Sequence, residues 1–100
     1  MKKYRIVADP RVVEDLQEAI EYLNAKRKGY GKKFINEYRK TLIHLQKNPF
    51  YQIRYQEIHC LPMKTFKYMI HFQINENERI VHVYAVLSTY LDPKTHFIKS

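Results

Sequence analysis

The side chains of this chain best suited to chemistry are its five histidines, its single cysteine and the tyrosines and lysines set among them. Two histidines, His71 and His82, fall in stretches where polar and apolar residues alternate, the signature of a half-buried strand. Phe66, Tyr68, Ile70, Phe72 and Ile74 alternate with Lys67, Met69, His71 and Gln73, and Ile80 to Leu87 returns after the turn Asn75-Glu76-Asn77-Glu78. With Ile74 paired to Arg79, Phe72 faces Val81, Ile70 faces Val83, Tyr68 faces Ala85 and Phe66 faces Leu87, so apolar meets apolar throughout. That register sets His71 directly across from His82, on a face shared with Lys67, Met69 and Tyr84. Two imidazoles titrating near pH ~6.5 can divide general-base and general-acid work, with a phenol and an ammonium beside them. Arg54, His59 and His96 are expected to reach the same face from neighbouring segments. A plain surface pair of histidines fits the same alternation.

Metal and cofactor chemistry find no support. The histidines lack close ligand spacing, and Cys60 alternates away from His59 along its strand. Cys60 reads as a small buried apolar residue. As the only cysteine it forms no internal disulfide, which favours a reducing, cytoplasmic setting. No Gly-rich phosphate loop is present, and Gly29-Tyr30-Gly31 reads as a turn between helices.

The elements that must position these groups can be read from periodicity. Tyr4 to Ala8 is a short strand, and Asp9-Pro10 starts a helix, with Asp9 as cap and Pro10 in the first helical position. Val13, Leu16, Ile20 and Leu23 form one apolar stripe. A second helix carries Phe34, Tyr38, Leu42 and Leu45 and ends at Asn48-Pro49. Tyr51 to Leu61 is a further strand, stopped by Pro62. The order is β-α-α-β-β-β: one α+β domain over residues 1–100, its N-terminal helical hairpin packed on one face of a mostly antiparallel sheet. The other face is more polar and more open.

Charge points to an anionic partner. Eighteen Lys+Arg against ten Asp+Glu give +8 over 100 residues, of which residues 1–50 hold +6 (twelve basic, six acidic). Lys26, Arg27, Lys28, Lys32, Lys33, Arg39 and Lys40 are interrupted by one acid, Glu37. Such a cluster is either a solvated helix face or a docking site for nucleic acid or an acidic protein. A hydrophobic content of 45% suffices for a core, and no apolar run approaches the ~18 residues of a membrane span. The basic N-terminus leads into Asp9-Pro10 and does not read as a signal peptide.

The element order, Asn48-Pro49 closing the second helix, Leu61-Pro62 ahead of Phe66-Lys67-Tyr68-Met69-Ile70-His71-Phe72, and Ala85-Val86-Leu87 followed by Asp92-Pro93 together resemble the RelE/ParE toxin superfamily. The resemblance covers Tyr4 to about His96. It implies the toxin half of a bacterial toxin–antitoxin pair, neutralised by a cognate antitoxin. It also implies one of two targets: messenger RNA in the ribosome, cleaved by RelE-like members, or DNA gyrase, poisoned by ParE-like members. Met69 stands where RelE-like nucleases tend to carry an arginine, and Ser88 to Pro93 holds none. The histidine-rich face favours the first, ribosome-associated cleavage of messenger RNA: metal-free RNA cleavage would use His71, His82, His96 and Tyr84, with Arg54, His59, Lys67, Lys26, Arg27, Lys28, Lys32 and Lys33 binding RNA. The other readings are gyrase inhibition, and a non-catalytic module that binds only antitoxin or nucleic acid.

Overall fold

The computed structural model describes residues 3–50, 54–55 and 57–89. The elements run β1 (Arg5–Ala8), α1 (Arg11–Lys26), α2 (Tyr30–Lys47), β2 (Arg54–Tyr55), β3 (Ile58–Pro62), β4 (Tyr68–Asn75) and β5 (Ile80–Ser88). One sheet holds all five strands in the order β1-β5-β4-β3-β2. β1 runs parallel to β5, and every other pairing is antiparallel. The stretch expected as one strand from Tyr51 to Leu61 thus contributes two, folded back so that Tyr55 pairs with Ile58.

Asp9 starts α1 as its position suggests: its Oδ1 accepts the Arg11 N–H at 2.9 Å, and Pro10 is already α-helical at φ −53°, ψ −30°. The buried stripe is offset from the expected one. Val12, Ala19 and Leu23 face the core, whereas Val13 is 58% exposed. Spacings 12-16-19-23 and 13-16-20-23 are equally helical, and the alanine that belongs to the true stripe is too small to announce it. The second stripe holds as read, with Phe34, Tyr38 and Leu45 buried and Leu42 packed against them.

Of the two glycines, Gly29 alone makes the turn, in the left-handed region at φ 92°. Gly31 lies inside α2, where a Cβ would sit 2.8 Å from both Asn24 Nδ2 and Ile20 Cγ2. Its N–H donates to Asn24 Oδ1 at 2.9 Å. Gly31 therefore sets how closely the helices approach at their joined end.

The β4–β5 register corrects the expected one. Asn75 pairs with Ile80, Ile74 with Val81, Gln73 with His82 and Phe72 with Val83; the ladder then shifts, and His71 pairs with Ala85, Ile70 with Val86, Met69 with Leu87 and Tyr68 with Ser88. Two local causes act. The turn occupies residues 76–79, with Asn75 Oδ1 accepting the Glu78 N–H at 3.1 Å and Arg79 at φ 55°. A β-bulge then leaves Tyr84 as an extra residue opposite the 71/72 step. Apolar pairing survives the change. Phe72, Val81, Val83, Ile70 and Val86 all join the core beneath the helices.

After the bulge, the buried Val86 N–H donates to Asp15 Oδ2 of α1 at 3.0 Å. Arg11 Nε lies 3.7 Å from the same oxygen. Asp15→Ala orphans that amide and is expected to cost ~1–3 kcal/mol, whereas Asp15→Asn retains an acceptor and should cost less. Urea unfolding of the two variants would check the ordering.

Candidate functional site

The corrected register separates the histidines. His71 is buried, 4% exposed, with its Nδ1 3.5 Å from Cys60 Sγ on the neighbouring strand. Burial, helped by the Arg11 charge, lowers its pKa from 6.5 to about 4, and burial pushes the Cys60 thiol up to about 11. Near neutral pH the pair is an uncharged imidazole beside an uncharged thiol, not an activated nucleophile. His82 faces Gln73 rather than His71. Its ring stacks on Tyr84, centroids 4.6 Å apart and planes within 8°, and the Tyr84 hydroxyl donates to Gln73 Oε1 at 2.8 Å.

The remaining expected residues also disperse. His59 pairs with Phe72 across β3–β4 and stacks on its ring at 5.5 Å, which places it toward the helices. Lys67 precedes β4, where its carbonyl accepts the Thr89 N–H at 2.8 Å. Arg54 is described through its backbone, paired with His59, and His96 lies outside the described residues. Among the described residues expected to be catalytic, His82 and Tyr84 are brought together and His71 stands apart.

Two grooves flank the sheet. One, of about 610 Å³, runs between α1 and the outer ends of β4 and β5; Tyr22, Leu23, Phe66 and Tyr68 form its apolar lining, with Asp15, Glu18, Lys26 and Lys67 also bordering it. Desolvation raises the Asp15 pKa against the opposing effect of the Val86 N–H. Glu37, which charge counting treats as a lone acid among cations, has a structural task instead. Both its carboxylate oxygens lie 3.1 Å from the Thr65 N–H, tying the segment before β4 to α2. The second groove, of about 640 Å³, lies at the β4–β5 turn and includes His82 and Tyr84.

The basic cluster stands at the α1–α2 corner. Lys26, Arg27, Lys28, Lys32 and Lys33 are all exposed. Its cations lie over tyrosines: Lys26 over Tyr22 at 5.0 Å, and Arg27 and Lys33 over Tyr30 at 5.5 and 5.8 Å. Lys32 and Lys33 occupy the first turn of α2, which has no acidic residue, so they oppose the positive end of the helix dipole. Replacing both by Glu is expected to stabilise the fold by ~0.5–1 kcal/mol. If the corner docks on nucleic acid, the same change weakens binding to a single-stranded RNA or duplex DNA probe and flattens its salt dependence by about two. Thermal melts and a salt series of binding curves read the two effects separately.

His71 makes stability pH-dependent. Its folded pKa lies below the unfolded value, so the unfolded chain binds more protons between pH 4 and 6.5. Stability from this residue is complete above pH 6.5 and is lost as pH falls toward 4, by ~3 kcal/mol in all. Chemical denaturation of the parent and of His71→Leu across that range is expected to show a shallower acid slope in the variant.

The sequence matches no protein-family model and no curated protein. Solved structures do resemble the fold. A chain of the chromosomal ParDE toxin–antitoxin system of P. aeruginosa superposes with a TM-score of 0.72 at 9% identity, over 86% of this chain and 96% of that one. A chain of the intact E. coli RelBE toxin–antitoxin complex gives 0.64 at 15% identity, over 85% and 95%. An E. coli RelE mutant bound to an antitoxin peptide gives 0.64 at 13% identity, over 97% and 96%. The fold is the one found in RelE/ParE toxins.

Proposed function

We propose that this chain, with its RelE/ParE-type fold, is the toxin of a toxin–antitoxin pair and is neutralised by a cognate antitoxin. The observation that carries this reading is the superposition on the ParDE chain at a TM-score of 0.72, nearly end to end. The likeness is one of fold, and fold alone leaves the target open.

For the mode of action, burial of His71 favours binding over cutting. Metal-free RNA cleavage needs a base, an acid and cations converging on one phosphate. His71 is withdrawn beside Cys60, and the described residues lining the His82–Tyr84 groove include Glu76 and Glu78 but no lysine or arginine. A ParE-like action, inhibition of DNA gyrase without catalysis, makes no demand for such a constellation. The basic α1–α2 corner would then serve to dock the toxin on an anionic surface. Ribosome-associated cleavage of messenger RNA is the second reading, supported by His82 and Tyr84 standing together beside an open groove.

Induction of the chain alone in a bacterial host separates these readings. Growth arrest is expected, with intact messenger RNA and gyrase-dependent DNA breaks. Fragmented messenger RNA with unbroken DNA would transfer the assignment to the nuclease. Unimpaired growth with abundant folded protein would reject toxicity in that host.

A further inference from the structure

We propose that the groove at the β4–β5 turn is a docking site for an arginine-bearing segment of a partner protein. Its lining includes Gln73, Asn75, Glu76, Glu78, His82 and Tyr84. Two features select the occupant, and they come from different parts of the groove.

The first is a fixed aromatic surface. His82 and Tyr84 form a near-parallel stack, and the hydrogen bond from the Tyr84 hydroxyl to Gln73 Oε1 holds the phenol in place. An ordered ring pair can receive a flat cation without losing further side-chain freedom. The bulge is what creates this surface, because Tyr84 is the residue it leaves out of the ladder.

The second is charge. Glu76 and Glu78 are exposed, and no ion pair engages either one among the described residues. Arg79, the cation nearest in sequence, is directed elsewhere: its guanidinium lies over the Tyr4 ring at 5.8 Å. In a chain of net charge +8, the described lining of this groove holds two carboxylates and no lysine or arginine, which favours positive charge over phosphate. Guanidinium groups suit each feature, since their flat face stacks on rings and their N–H groups meet a carboxylate in pairs, so a segment with more than one arginine can use both parts of the groove. An ammonium would satisfy the charge but not the plane. A metal ion is a poor fit, since no group of three or more candidate ligands occurs among the described residues.

The site concerns a protein partner and does not depend on which target the toxin poisons, so its test uses the isolated full chain. The isotope-labelled chain is titrated with acetyl-Gly-Arg-Gly-Arg-Gly-amide and followed by NMR. The citrulline analogue, which keeps the shape and removes the charge, serves as comparison. The arginine peptide is expected to move the Gln73, His82 and Tyr84 resonances most, and the citrulline peptide to leave them in place. Joint replacement Glu76→Gln and Glu78→Gln, at exposed positions, should weaken binding about tenfold. Tyr84→Leu should weaken it as well, and its amide spectrum reports whether the fold is retained. Equal response to the citrulline peptide, shifts centred elsewhere, or binding indifferent to the glutamates would overturn the proposal. It would also fall if a single-stranded RNA hexamer moved the same resonances and bound more tightly to the double variant.

Discussion

The arrangement turns on one hydrogen bond between a helix side chain and a strand backbone. Where β5 takes an extra residue, the Val86 amide donates to the Asp15 carboxylate of α1. An unmet amide at this depth would be costly. Meeting it from the helix joins the two layers at the point where the strand changes phase. On one side of that point Val81 and Val83 face the helices, and on the other Val86 does. Without the phase change Ala85 and Leu87 would take the place of Val86, and the helices would rest on a shallower floor.

The same phase change redistributes the polar face. It moves His71 opposite Ala85, where Cys60 is its neighbour, and, with the turn that already sets His82 opposite Gln73, leaves His82 and Tyr84 as a separate aromatic pair. A sheet that looks from its alternation as if it carried one cluster of reactive groups instead carries a buried neutral histidine and an open stack. The buried one acts on stability, and the open one stays at the surface.

These outcomes also show what the sequence could reveal. Both helices, the α2 stripe and the β4–β5 hairpin are legible in periodicity, since each rests on local chemistry repeated over many residues, and the burial of Cys60 is legible in its residue type. The register lay beyond both. Pairing apolar residues is satisfied equally by the expected ladder and by the observed one; the turn at residues 76–79 and the bulge at Tyr84 set the latter, and its far side is met by Asp15, 71 residues upstream of Val86. The site inherited this ambiguity, because a shift of register and a bulge reassign cross-strand partners. Val12 and Val13 are indistinguishable from sequence for a similar reason: Ala19, in the true stripe, gives no hydropathic signal. Glu37 drew notice through its charge, while its bond to the Thr65 amide joins residues 28 apart and leaves no local trace.

The chain is electrically lopsided along β4. Tyr30 at the basic corner meets Phe66 just ahead of β4, whereas Glu76 and Glu78 follow the end of that strand. Eight residues of β4 separate the two by ~26 Å, several times the screening length of ~8 Å at physiological ionic strength. The molecule thus carries its unbalanced positive charge at one end, while at the other Arg5 and Arg79 stand beside the glutamates. Near a polyanion it experiences a torque as well as an attraction, and it arrives corner first, with the hairpin tip pointing back into solvent. Orientation is settled before contact, and whatever occupies the tip can remain there while the corner is engaged.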